Sequence, residues 1–265
     1  MRRSWLRQRF VQGLGRMSVA LVLLVPVLSG CASTPAWFGL DADPLYDLAM
    51  EKVQARDWNQ SILLLERFLV GHPGDPRAPE ARMALAESHF AKKEFITSAA
   101  EYERFLQRHP SHGRAPEASL GICRSYEALS PNPQRDQEFT RRAVDACRAT
   151  FNEFPGMNVA EEARIIQVRM TDRLAEAWYQ EASFYQRRNA HDSAILVFQD
   201  LVDFYPQTSF APKGFLGLYR SYRAIGWDRE AEQTRSRLLA NYPDSPEAEL
   251  LREGSGTTAP PAVRP

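Results

Sequence analysis

The chain predicts an all-α fold, a right-handed superhelical solenoid of about five helix pairs. Three observations lead there. Five times a ring-bearing residue precedes a proline that is followed five positions later by alanine: His72-Pro73/Ala78, His109-Pro110/Ala115, Phe154-Pro155/Ala160, Tyr205-Pro206/Ala211 and Tyr242-Pro243/Ala248. The prolines are 37, 45, 51 and 37 residues apart, a 37-residue cycle with 8 extra residues in the third unit and 14 in the fourth. Small residues recur at constant offsets: Ser61, Ser98, Ala143, Ala194 and Ala231 twelve positions before each proline, and Ala49, Ala86, Cys123 and Ala182 earlier in the unit. Two antiparallel helices approach closely where small side chains face one another, so each unit is a helix-turn-helix.

From the N-terminus, residues 1–30 carry Arg2, Arg3, Arg7, Arg9 and Arg16, no acid, and then the apolar run from Ser18 to Leu28. A basic start and a short apolar stretch broken by Pro26 describe a secretory signal rather than a membrane span. The signal closes on Leu28-Ser29-Gly30-Cys31, which resembles the lipobox of bacterial lipoproteins and makes Cys31 the expected lipidated N-terminus. Residues 31–43 then form a tether, with Trp37 and Phe38 near the lipid interface or on the fold. Because Ala32 rather than aspartate follows the cysteine, resemblance to enteric lipoproteins implies the periplasmic face of the outer membrane.

Residues 44–158 hold the first three units, and 159–252 a long connecting helix and the last two. Pro131 and Pro133 lie in the third unit's extra stretch, where two prolines cannot continue a helix, so a long loop is expected between its helices. Val159 to Arg188 contains neither proline nor glycine, and 14 added residues are nearly four helical turns, which predicts one helix of about thirty residues. Residues 253–265 read as a disordered tail.

Removing the signal's five arginines leaves 28 basic against 33 acidic residues, a net charge of −5, and nothing points to nucleic acid. Cys123 and Cys147 fall at packing positions on the two helices of the third unit, either as a disulfide or as two buried thiols. The chain lacks G-x-S-x-G, C-x-x-C and a glycine-rich phosphate loop. His109 and His112 flank a proline that breaks any helical ligand spacing, so no metal, no cofactor and no enzymatic activity are expected. Stacked helix pairs offer surface instead. By repeat offset, the inner face should carry Tyr46, Met50 and Val53 in the first unit and Met83, Glu87 and Phe90 in the second, an adaptable trough for an extended peptide.

The offsets resemble the tetratricopeptide repeat over roughly residues 44 to 251, although Tyr219 stands where a small residue is expected and Arg235 where a large apolar one is. Together with the lipoprotein signal, the loop bearing Arg135-Asp136-Gln137 and the later Asp172-Arg173-Leu174-Ala175, the chain resembles the BamD family of outer-membrane β-barrel assembly lipoproteins. The resemblance implies that the N-terminal units read the targeting strand of unfolded barrel proteins. The C-terminal units would dock on the periplasmic domain of BamA, with other lipoproteins of the complex as further partners. Val197 departs from the charged docking residue of some members. A pilotin-like or cell-division repeat lipoprotein is the competing reading.

Overall fold

The computed structural model describes residues 38–253. The signal, Cys31, Trp37 and nearly all of the C-terminal tail lie outside them. Residues 40–253 form one compact unit whose regular elements are all helices. Five antiparallel pairs follow in order: α1 (Ala42–Gln54) with α2 (Trp58–Gly71), α3 (Ala78–Ala91) with α4 (Phe95–Arg108), α5 (Ala115–Leu129) with α6 (Glu138–Glu153), α7 (Asn158–Arg187) with α8 (His191–Phe204), and α9 (Ala211–Ala224) with α10 (Asp228–Asn241). The short α11 (Pro246–Glu253) covers the end of the stack against α9 and α10. This is a tetratricopeptide-like solenoid.

The repeated sequence signature is the link between pairs. Each ring residue ends a helix with nearly the same backbone, φ between −135° and −122° and ψ between 46° and 57°. Its carbonyl accepts from the N–H three residues on, and that residue's carbonyl accepts from the alanine N–H a further three on: Asp75 then Ala78, His112 then Ala115, Met157 then Ala160, Thr208 then Ala211, Ser245 then Ala248. Proline sits at a position of this turn whose N–H is not called upon, and it holds the ring residue out of the helical region.

Within pairs, four turns share a left-handed residue at one offset: Arg56 (φ 57°), Lys93 (φ 64°), Asn189 (φ 59°) and Gly226 (φ 80°). The third pair has the long loop instead. Between pairs, serines meet at equal sequence separation, Ser61 with Ser88 at 3.1 Å and Ser98 with Ser125 at 3.3 Å, and Ser88 and Ser125 also donate to the carbonyls four residues back. The closest approaches are made by glycines. A Cβ on Gly121 would come within 2.5 Å of the Tyr102 ring, and one on Gly217 within 2.3 Å of the Phe198 ring, so a large ring on one pair seats against a bare helix of the next. Arg235 occupies the ring's slot in the last pair, where among the described residues only the short α11 follows; its Nε donates to the Leu251 carbonyl of α11.

Cys123 and Cys147 are joined by a disulfide with the Cα atoms 4.8 Å apart, both fully buried, tying α5 to α6. Helix α7 runs 30 residues. Its N-terminal half packs on the third pair and its C-terminal half on α8.

Candidate functional site

Successive first helices pack closely on one another, α1 with α3, α3 with α5, α5 with α7 and α7 with α9, whereas among the described residues the backbones of successive second helices stay further apart, α8 and α10 meeting through the Arg237–Asp203 ion pair at 3.3 Å. The first helices are therefore the closely set side of the stack, where an extended chain can run across several units.

The six residues expected on this side separate into three kinds. Phe90 is half-buried, set edge-on against Phe95 with ring centroids 5.1 Å apart, and it opens onto a groove of about 660 Å³. Tyr46, Met50 and Val53 are half-buried on α1. The Tyr46 ring packs on Phe68 at 5.2 Å and under the Arg77 guanidinium at 4.8 Å, and burial raises its phenol pKa. Glu87 is exposed but receives Arg114 Nη2 at 2.5 Å, while the same guanidinium holds Glu80 at 3.1 Å. Met83 is not a surface residue. At 1 % exposure it belongs to a core with Tyr102, Phe105, Ala115 and Ala118, because α4 and the start of α5 pack over that part of α3. Helical spacing places Met83 on the stripe of Glu87 and Phe90, but what covers each turn of that stripe is a tertiary matter.

The groove at Phe90 is completed by Arg124 and Glu127 of α5, which stand one unit on at the offsets of Glu87 and Phe90, by Ala128 beside them, and by side chains of the α7 extension to which the repeat offsets do not point: Glu162, Ile165, Ile166 and Arg169. Ile165 is 51 % exposed. The charges are paired across helices, Arg124 with Glu162 through two bonds of 2.7 Å and Arg169 with Glu127. The i, i+3, i+4, i+7 stripe 162, 165, 166, 169 was visible in the sequence as the face of the helical extension. A floor of isoleucine and phenylalanine rimmed by neutralised ion pairs offers apolar contact and shape rather than free charge.

A second cavity, of about 800 Å³, lies between the α5–α6 loop and the C-terminal half of α7. The two short motifs meet around it. Gln137, buried, donates from Nε2 to the carbonyls of Asn132 and Arg135, each at 2.9 Å, and its Oε1 accepts from Thr140 at 2.7 Å. Asp136 accepts from the Glu138 N–H at the start of α6. Arg173 Nη1 donates to the Ser130 carbonyl and hydroxyl at 3.2 Å, fastening the loop to α7. Asp172 accepts from the N–H and hydroxyl of Ser209 at 3.0 and 2.8 Å, which joins α7 to the α8–α9 link. The histidine pair plays a packing role: His112 stands edge-on to Phe105 at 5.4 Å, and its Nδ1 accepts from the Arg114 N–H.

Residues 40–239 match the model of a family described as YfiO, outer membrane lipoprotein. The chain is similar to the outer membrane protein assembly factor BamD of Caulobacter vibrioides, at 23 % identity over 240 residues covering 89 % of this chain and 79 % of that protein. It is 24 % identical over 234 residues to the protein of the same name from Rickettsia prowazekii, covering 88 % and 93 % respectively. Against that of Vibrio cholerae it is 25 % identical over 232 residues, covering 83 % and 96 %. A solved structure similar in outline is the TPR2AB-domain:pHSP90-complex of yeast Sti1, at 13 % identity and a TM-score of 0.43, covering 81 % of this chain and 86 % of that one.

Proposed function

Because the chain belongs to the YfiO family of outer membrane lipoproteins, we propose that it is a lipid-anchored, non-enzymatic scaffold of the outer-membrane β-barrel assembly machinery. Its similarity along most of its length to several proteins named as outer membrane protein assembly factor BamD is the observation that carries this reading. In this reading Cys31 bears the lipid that holds the protein to the periplasmic face of the outer membrane. Units within 44–158 receive an extended targeting strand of an unfolded barrel protein. The units of 159–252 dock on the periplasmic domain of BamA.

The geometry supports a binding role on physical grounds. An extended strand laid across α3, α5 and α7 would set a ring against Phe90 and Ile165, and the flanking ion pairs would need no rearrangement. Tyr46, Met50 and Val53 would extend the surface toward α1, without Met83.

The test is site-directed photocrosslinking in intact cells from Phe90 and Ile165, with products identified by mass spectrometry. Barrel-protein segments at the groove, and BamA from positions on α9 and α10, are the expected products. Secretin subunits or peptidoglycan enzymes in their place would select the pilotin-like or cell-division reading. Phe90→Ala should weaken binding of a barrel C-terminal peptide by about 1–2 kcal/mol, the scale of an aromatic anchor at an interface. A loss of thermal stability with unchanged affinity would return Phe90 to the core.

A further inference from the structure

The two insertions that break the 37-residue cycle are separated in sequence and adjacent in space. The α5–α6 loop forms one wall of the 800 Å³ cavity, and the other is the half of α7 that follows its 14-residue extension. The loop is preorganised, since Gln137 and Arg173 satisfy its carbonyls and leave the Arg135 side chain uncommitted. Arg135 and Arg187, one on each wall, make no ion pair among the described residues, while Arg141 is held by Asp136 at 3.3 Å. Against these cations the lining contains a single carboxylate, Glu181. The α7 wall is aromatic: Phe184 is 44 % exposed under the Arg188 guanidinium at 4.4 Å, and Trp178 packs against the exposed ring of Phe204.

We propose that this cavity is a docking site for a short, extended, acidic segment of a partner protein that carries an aromatic side chain. The carboxylates would pair with Arg135 and Arg187 while the ring enters between Trp178 and Phe184. The volume admits a few side chains rather than a folded surface. The two uncommitted guanidinium groups sit on different walls, which suits charges spaced along a peptide better than one phosphate. The site is separate from the Phe90 groove, which uses the other half of α7, and it stands whether or not the assembly role does.

The test uses the full mature chain and fluorescein-labelled peptides of alternating aspartate and phenylalanine. Lysine-for-aspartate and serine-for-phenylalanine counterparts are read in parallel by anisotropy. The acidic aromatic peptide should bind with strong salt dependence and the counterparts should not. Arg135→Glu and Arg187→Glu should each weaken it by about tenfold or more, Phe184→Ala should weaken it comparably, and Arg229→Glu, a distant exposed cation, should leave it unchanged. Thermal melts of the two charge reversals should match the parent, because neither side chain holds the fold. Equal affinity for the lysine peptide, or parent-like binding by both reversals, overturns the proposal. So does the absence of peptide binding where Arg135 and Arg187 instead govern adhesion to phosphatidylglycerol vesicles or self-association. None of these failures touches the crosslinking test of the assembly role.

Discussion

Breaking the disulfide is expected to cost the third helix pair more than any other single covalent change. Cys123 and Cys147 are separated by 24 residues, and the loop they close contains the whole α5–α6 insertion. In the chain-entropy treatment, a closed loop of that length removes about 3.4 kcal/mol of disorder from the unfolded state at 25 °C. Most globular domains are stable by about 5–15 kcal/mol, so the loss is a large fraction. Both sulfurs are fully buried, and Cys147 fills the slot that Tyr102 and Phe198 occupy in other units. Cys123→Ala and Cys147→Ala, singly and together, separate the bond from the packing of each sulfur. Each single variant should lose the full entropic contribution, and the double variant should lose little more, since the bond can be broken only once. Urea melts give the free energies. Hydrogen exchange should show the loss concentrated in α5 and α6, because solenoid units are coupled chiefly to their neighbours. Additive single effects of less than about 1 kcal/mol would refute the claim that this bond holds the insertion-bearing pair together.

Gly217→Ala should destabilise the last two pairs. The new Cβ would meet the fully buried Phe198 ring at 2.3 Å, and overpacking of about 1–3 kcal/mol outweighs a helix-propensity gain of about 1 kcal/mol; Phe198→Leu in the same chain should recover part of the loss in thermal melts. Asp75 is held down to about 2 from 3.8 by hydrogen bonds from the Arg77 side chain and backbone N–H. Its stabilising contribution is therefore present above the unfolded value and lost as pH falls toward about 2; Asp75→Asn should flatten acid unfolding over that window, and an NMR titration midpoint near 3.8 would contradict it. Cys31→Ser should leave the signal uncut or release the protein from the outer membrane, and tight fractionation of that variant without its partners would show that another feature anchors it.

The fold was legible wherever one physical requirement recurs in every unit. The ring-proline-alanine signature recurs because all five links form the same two backbone hydrogen bonds, and the twelve-residue offset recurs because serine or alanine there meets a neighbouring helix. The close glycine contacts were not legible. Gly121 and Gly217 share one offset, but Asp47, Ala84 and Gln180 fill it in the other units, so only two of five show the bare backbone that Tyr102 and Phe198 require. The cysteines could be placed on facing helices without the 4.8 Å separation that makes a bond possible. Met83 shows the same limit at the candidate site: periodicity assigns a stripe, and the neighbouring helices decide which turns of it stay open.

The departures from the cycle obey a different logic from the cycle itself. A repeat needs neither an eight-residue loop nor a thirty-residue helix to stack, and each adds backbone whose polar groups must be satisfied. Here they are satisfied by each other's neighbourhood: Gln137 closes the loop on itself, Arg173 ties it to α7, and Asp172 carries the connection on to the α8–α9 link. The fixed loop then leaves Arg135 beside an exposed aromatic wall, an arrangement that stacking alone does not explain. In a solenoid whose regular parts are accounted for by packing, the interrupted ones are where recognition chemistry should be sought.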